Sequence, residues 1–504
     1  LVPRRPNILL ITTDQQRTDT LSCYGSTFTH TPALDWLARD GVLFERAYCA
    51  NPVCTPARAS IFSGLYPSRH GAWNVGLNVP AGLDLLSHRL ACAGYVTHYT
   101  GKAHFQSFGG RPGETMEAVK DWELLYPAFR GPYYGFESVE LSFGHATYGL
   151  CGHYGAWVRE QAGDNRMRAY AHATNLAGMD FGGNAYDWSL PLRLHSSVWS
   201  ADRAIDFIEH RDPSRPFFLA VGFQDPHHPH CLPQEFKDRV DPAAVPLPRF
   251  IPGELEDKPP HYRAARLGQL EASAERGQYP VAGQGAGADY SLVSPEDARL
   301  GRAYYYNLVS LIDQQVGRIL DTLDRLDLSE NTMVVFLTDH GELLGDHGLW
   351  MKGPFHYEEL VRIPLLLRWP AGLPKGIRVS SLASQVDLVP TMLEAAGVDH
   401  GGPLDGVSLL PAAAGSPDQR AAVFVECVDD PRGLRLKTVI TANRKLTYYH
   451  DRAFGELYDL EQDPGEIYNR WADPAYAHDR QALTALILDH MEPLEPRVTR
   501  ACYA

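Results

Sequence analysis

Short apolar runs alternate with stretches whose apolar residues recur at helical spacing. Asn7-Ile-Leu-Leu-Ile-Thr-Thr13 holds a short, apolar, β-rich run and reads as a strand. Tyr95–Thr100, Phe217–Phe223, Met333–Thr338 and Leu365–Trp369 read the same way. Between them, Leu83–Ala93 is helical in pattern, and Val198, Ala201, Ile205 and Ile208 share a helix face. Ser294-Pro-Glu-Asp297 predicts a helix start, with a capping serine, proline at the first helical position and an acid three residues on. The helix it opens sets Leu308, Leu311, Ile312, Val316, Ile319, Leu320 and Leu323 on one face and ends before Asp327–Asn331. This βαβ alternation predicts the α/β class, with a largely parallel sheet covered by helices.

Two stretches break the rhythm. Asp121–Glu160 carries ten aromatics in forty residues, against 11% for the whole chain. Leu232–Ser291 is rich in proline, glycine and charge. Both read as insertions between core elements, near 106–195 and 232–291, and such loops often face substrate. The aromatics suit a leaving-group pocket, a core of the insertion itself or a homo-oligomer interface. After Gly415 come shorter strands, Val423–Glu426, Thr438–Thr441, Lys445–Tyr449 and Glu456–Leu460, then a helix at Arg480–Met491. The expected division is a catalytic α/β domain over 1–415 and a small α+β subdomain over 416–504.

Length adds little to this picture. At about 150 residues per domain, 504 residues allow three domains, which the pattern reduces to one long sheet domain and a small terminal unit. Charge adds more. Sixty-one acidic against 46 basic residues leave −15, which repels phosphate backbones and argues against nucleic-acid partners. No run approaches 18 apolar residues, so no membrane span is expected. Eight cysteines without a CxxC pair do not make a disulfide scaffold. With no signal-peptide pattern at the start, a cytoplasmic location is expected, a removed signal peptide being the alternative.

Ligands of an open α/β sheet bind outside the carboxyl ends of its strands. Asp14 follows the first predicted strand, Gly101-Lys102-Ala-His104 the second, Asp225-Pro-His227-His228-Pro-His230 the third and Asp339-His340-Gly341 the fourth. One edge of the sheet thus gathers carboxylates, a lysine and histidines. That set suits a divalent cation beside the oxygens of an anion. Each piece alone reads equally well as a cap, a solvated turn or a proline-rich loop.

The sharpest local motif is Cys54-Thr-Pro56-Ala-Arg58-Ala-Ser-Ile-Phe-Ser63-Gly64. Pro56 suits a first helical turn and Gly64 an exit, which sets Cys54 at or just before a helix N-terminus, where the dipole favours an anion. A catalytic thiol and a buried structural cysteine are both open at this point.

Cys54-x-Pro-x-Arg58 closing in Ser63-Gly64 resembles the signature of the sulfatase family, in the alkaline phosphatase superfamily. Asn7-Ile-Leu-x(3)-Thr13-Asp14, Gly101-Lys102-x-His104 and Pro226-His227-x-Pro229 resemble further motifs of that family. So do Thr338-Asp339-His340-Gly341-Glu342, Gly345-x-His347-Gly348-x(3)-Lys352 and Leu457-Tyr-Asp-Leu460-x(2)-Asp463-Pro464-x-Glu466. The likeness runs from Asn7 to about Asn469.

The resemblance implies a large mixed, mostly parallel sheet sandwiched by helices. It implies conversion of Cys54 to formylglycine by a formylglycine-generating enzyme during maturation. One hydroxyl of the hydrated aldehyde then attacks sulfur or phosphorus, and the second expels the inorganic oxyanion. Asp14, Asp339, His340 and the converted Cys54 match metal ligands, and Arg58 the residue that holds position 54. His104 matches the base, while Lys102, His227 and Lys352 match groups on the oxyanion and leaving group. His228 rivals His227 for register, and His70 and Asn74 are weaker candidates. Two departures stand out. Asp14-Gln15 replaces a frequent Asp-Asp, and Asp339-His340 a frequent Asp-Asn, so manganese or zinc joins calcium as a candidate ion. The expected substrates are small organic sulfate esters, aryl or alkyl, with phosphonate monoesters or phosphodiesters as the alternative. A fold-retaining binding protein and a thiolate hydrolase without a metal are the readings from other classes.

Overall fold

The computed structural model describes residues 5–108, 115–117, 126, 128–144, 150–163, 185–269, 289–416, 420–429 and 432–491. Its strands are β1 (Asn7–Thr13), β2 (Val42–Tyr48), β3 (Val96–Gly101), β4 (Ser138–Phe143), β5 (Ala185–Trp188), β6 (Phe217–Gly222), β7 (His230–Pro233), β8 (Thr332–Thr338), β9 (Arg362–Ile363), β10 (Leu365–Arg368), β11 (Ile377–Ser384), β12 (Val423–Asp429), β13 (Leu434–Ile440), β14 (Arg444–Tyr449) and β15 (Gly455–Asp459).

The main sheet runs β11-β2-β10-β8-β1-β6-β3-β4, with β9 paired to β2. β1, β3, β4, β6 and β8 are mutually parallel, as are β2 and β11, whereas β10 is antiparallel to both β2 and β8. The sheet is therefore mixed and mostly parallel. β1 lies at its centre and is buried throughout, as its unbroken apolar pattern requires. Alternation along it sorts the core into two layers. Ile8 and Leu10 join the cluster on one face, and Leu9 and Ile11 the cluster on the other.

Register aligns the strand ends. Thr12 pairs with Gly222, Gly222 with Gly101 and Thr13 with Thr338. The residues that leave β1, β3, β6 and β8 therefore emerge side by side.

The helix Pro295–Arg325 starts where the sequence predicts, with Ser294 Oγ accepting from Asp297 N at 3.0 Å. Its apolar positions divide between two faces rather than lying on one. Val309, Ile312, Val316 and Ile319 pack on the sheet, while Leu308 and Leu311 pack on the ribbon β5–β7 through Ala185 and Leu232. β12–β15 form a second, antiparallel sheet. The helix Ala477–His490 covers its outer side through Leu483 and Ile487, and Val423, Val425 and Ile440 join the main core.

Pattern reading missed β2, β4 and β11. β11 is an edge strand with exposed and half-buried polar residues and a register shift between Val379 and Leu382, so no clean period survives. β4 lies inside the stretch read as an aromatic insertion. There Tyr133, Phe136 and Phe143 are core residues, and Tyr126, Phe129 and Tyr134 pack against that core. Tyr154 and Trp157 belong to a satellite cluster with Trp199, while Trp122 and Tyr148 lie outside the described residues. Among the described residues, no helix is long and apolar enough to cross a membrane.

Candidate active site

Asp14 and Asp339 leave adjacent parallel strands. Asp339 N donates to Thr13 O and Asp14 N to Asp225 O, both at 3.3 Å, so the strand ends are tied together. The helix Cys54–Ser63 points its N-terminus at them. Val53 is its cap, Cys54 its first residue and Gly64 its left-handed exit at φ 71°. All ten of its residues are buried, so its unpaired first amides lie in the protein interior rather than in water.

Cys54 Sγ lies 3.6 Å from Asp14 Oδ1, 3.3 Å from His340 Nε2 and 2.8 Å from Lys352 Nζ. One ligand atom from each of Asp14, Cys54, Asp339 and His340 falls within 4.8 Å of the others, and all four residues are buried. Arg58 backs this cluster. Its Nε donates to Asp339 Oδ2 at 3.0 Å, its Nη2 is 3.5 Å from Asp14 Oδ2, and its Nη1 donates to Lys102 O at 2.7 Å. Lys102 Nζ forms an ion pair with Asp14.

Lys352 Nζ also lies 2.9 Å from His227 Nε2 and 3.3 Å from His340 Nε2. His227 therefore faces the cluster, whereas the Nδ1 of His228 meets Gln15 Nε2 at 3.2 Å. His104, at φ 54°, stacks on Phe108 with ring centroids 4.0 Å apart, and its Nδ1 is buried without a hydrogen-bond partner among the described residues. The nine predicted residues are thus brought to one edge of the sheet. The two weaker candidates bond elsewhere, His70 to Ser60 Oγ and Ala72 N, and Asn74 to Val428 O. A cavity of about 530 Å³, lined in part by Arg17, Glu45, Arg46 and Arg362, includes none of the nine.

Burial sets the protonation states. It pushes the Cys54 thiol up to about 11, with Asp14 adding to the rise. It lowers His340 to about 4, so the ring is neutral. His340 Nδ1 lies 2.9 Å from Gly341 O, which fixes the proton there and leaves the Nε2 lone pair directed at the cluster. Burial, then Lys102 and Arg58, hold His104 well below its usual range.

These donors fit a divalent cation. Two carboxylates, a lone-pair imidazole nitrogen and the Cys54 sulfur form a buried set of oxygen, nitrogen and sulfur donors. Gln15, next to Asp14, adds a buried Oε1 that has no hydrogen-bond partner among the described residues.

Sequence reading missed two contributors. Glu117 accepts from His104 N at 3.0 Å, Phe105 N at 2.8 Å and Gln106 N at 3.2 Å, and also from the Tyr133 hydroxyl. No motif marks it, because its partners come together only through folding. Gln15 read only as a lost carboxylate. At φ 67° it turns its side chain to Glu342 and His228, and its backbone N–H donates to Asp339 Oδ1 at 3.0 Å.

A family model described as "Sulfatase" matches residues 6–398, and one described as "N-sulphoglucosamine sulphohydrolase, C-terminal" matches residues 345–492. An arylsulfatase of Clostridium perfringens (strain 13 / Type A) is 27% identical over 512 residues, covering 98% of this chain and 96% of that protein. A choline-sulfatase of Rhizobium meliloti (strain 1021) is 28% identical over 488 residues, covering 95% and 85%. The solved structure of the phosphonate monoester hydrolase of Agrobacterium radiobacter matches with a TM-score of 0.78 at 26% identity, covering 96% of this chain and 95% of that one. Sheet order, the strand-end cluster and a match over most of the chain agree: the chain belongs to the sulfatase family of the alkaline phosphatase superfamily, and its enzyme class is sulfuric ester hydrolase.

Proposed function

We propose that the protein hydrolyses organic sulfate monoesters, aryl or alkyl, with a formylglycine derived from Cys54 as nucleophile. One observation carries this reading. Cys54 Sγ sits between the Asp14–Asp339–His340 donors and Lys352, at a buried helix N-terminus, in a chain matched to the sulfatase model. Asp14, Asp339, His340 and the converted Cys54 would hold one divalent ion, with calcium, manganese and zinc as candidates. Bound there, the ion and the hydrated aldehyde supply Lewis acidity and an oxygen nucleophile for the sulfur centre. The residues around them bind and move protons. Arg58 holds both carboxylates and offsets their mutual repulsion. Lys102 and Lys352 bring two ammonium groups to the oxygens of the transferred sulfate. His227, in contact with Lys352, protonates the leaving oxygen. His104, kept neutral by burial, accepts the proton whose loss releases inorganic sulfate.

Hydrolysis of phosphonate monoesters or phosphodiesters is the second reading. It draws support from the 0.78 TM-score likeness and from the Asp14-Gln15 and Asp339-His340 pairs.

The test compares wild type with Cys54→Ala on an aryl sulfate, alongside mass spectrometry of the Cys54 peptide. The expected result is an aldehyde mass in active wild type, turnover at background in Cys54→Ala, and loss of activity on chelation. Turnover retained in Cys54→Ala, or active protein with an unmodified thiol, would overturn the reading.

A further inference from the structure

The loop that carries Lys352 is strained. Leu344, His347 and Met351 all have positive φ, at 49°, 57° and 68°, in a segment that also uses Gly345 and Gly348. Non-glycine residues in this region cost on the order of 1 kcal/mol or more each, so surrounding contacts must impose the conformation. The base of the loop is closed by Glu342, which accepts from Leu344 N at 3.0 Å and from Met351 N. Asp346 is held by Arg17 at 2.7 Å, Arg302 at 3.3 Å and Arg249 N at 2.6 Å.

His347 makes the remaining anchor, and both of its ring nitrogens face carboxylates. Nδ1 bonds Glu254 Oε1, and Nε2 lies within ion-pair reach of Glu359 Oε2, at 3.4 Å, without hydrogen-bonding to it. A neutral ring gains little from a second carboxylate at that distance, whereas a positive imidazolium is attracted to both in this buried setting. The ring lies flat on Tyr357, with centroids 3.6 Å apart and 3° between planes, which suits a cation on an aromatic face. His347 N donates to Arg249 O at 2.7 Å. The charged and titratable groups packed around the ring are Glu254, Glu359 and Tyr357. Beyond them stand Arg249 on Glu359 at 3.2 Å and Lys258 over the Tyr357 ring at 5.9 Å.

We propose that His347 is a positioning residue: as an imidazolium clamped between Glu254 and Glu359, it holds the strained loop so that Lys352 stays against Cys54, and its deprotonation sets an alkaline limit to oxyanion binding and turnover. The proposal rests on the role given to Lys352 above. Burial works against the charge, but Glu359 and Glu254 outweigh it and raise His347 from 6.5 to about 9. The folded value exceeds the unfolded one. The clamp therefore contributes its full stability below pH 6.5 and loses it as pH rises through about 9.

The test uses matured, metal-loaded wild type, His347→Gln and Glu254→Gln. Thermal midpoints are measured across the alkaline range, together with kcat/KM on the better of an aryl sulfate and an aryl phosphonate. Calorimetric binding of inorganic sulfate is measured over the same range. The midpoint gap between wild type and Glu254→Gln should be widest near neutrality and close as pH rises through about 9. The alkaline limbs of sulfate binding and of kcat/KM should move down by about one pH unit or more in Glu254→Gln. In His347→Gln the alkaline limb should vanish and sulfate should bind at least about fivefold more weakly near neutrality, roughly 1 kcal/mol. Should His347→Gln fail to fold, Glu254→Gln decides alone. Limbs unmoved in Glu254→Gln, or a midpoint gap that does not change with pH, would overturn the proposal. Absence of turnover in wild type would count against the sulfatase reading instead, and sulfate binding would still decide the clamp.

Discussion

Glu117 shows how much a single carboxylate can organise. It gathers three consecutive amides, from His104 to Gln106, and the Tyr133 hydroxyl, and burial raises it to about 7. Glu117→Ala leaves those amides without their acceptor in a buried site. Each unsatisfied amide costs about 1–3 kcal/mol, so thermal denaturation should show a large drop in Tm. The kcat of any folded fraction should fall as well, because His104 opens the loop. A wild-type Tm would show that the loop holds itself. The nine predicted residues were legible because each follows a strand or belongs to a spaced motif. Glu117 and Gln15 were not. Their work depends on backbone conformation and on partners far away in sequence, such as Glu342 and His228 for Gln15.

The four strands that deliver six of those residues were also legible; β1, β6 and β8 each hold the apolar run of a central parallel strand, and β3 follows a helical stretch. β11 lacks that signature and has no clean period, while β4 alternates, with Val139, Leu141 and Phe143 set against Ser138, Glu140 and Ser142, but sits inside the stretch read as an insertion. One feature of the sheet matters for the site. Gly101, at φ 92°, faces Gly222 across β3 and β6. A Cβ at Gly222 would lie 2.3 Å from Lys102 O and 2.5 Å from the Tyr99 hydroxyl. Gly222→Ala must therefore push the Lys102 backbone away from Arg58 and Asp14. Overpacking of this kind costs about 1–3 kcal/mol, and kcat/KM should fall by more than the stability loss accounts for. Steady-state kinetics on the folded fraction check this, and unchanged kcat/KM would show that the strand end can yield without moving Lys102.

At the scale of the whole molecule, composition predicted little beyond the exclusions that follow from −15. The packing of the small sheet against the large one was not legible, because beside the apolar contacts of Val423, Val425 and Ile440 it runs through buried charge. Lys445, on β14, lies 2.8 Å from Glu358 and 2.7 Å from Glu466, and is fully buried. Glu456, on β15, accepts from the hydroxyls of Tyr262, Tyr449 and Tyr458 at 2.6–2.7 Å. Removing one partner of a buried pair costs about 3–5 kcal/mol, so Lys445→Ala should lower Tm by several degrees. Calorimetry checks this, and an unchanged Tm would show that the two sheets are stable independently. The net acidity also has to coexist with Arg58, Lys102 and Lys352 around one buried cluster. That local cationic set is why an oxyanion ester, rather than a cationic or neutral ligand, is the substrate proposed. The most direct measurement is the ratio of kcat/KM for an aryl sulfate and an aryl phosphonate monoester on the matured, metal-loaded protein. The sulfate is predicted to be the better substrate; a preference for the phosphonate of more than tenfold, about 1.4 kcal/mol in barrier, would contradict that prediction.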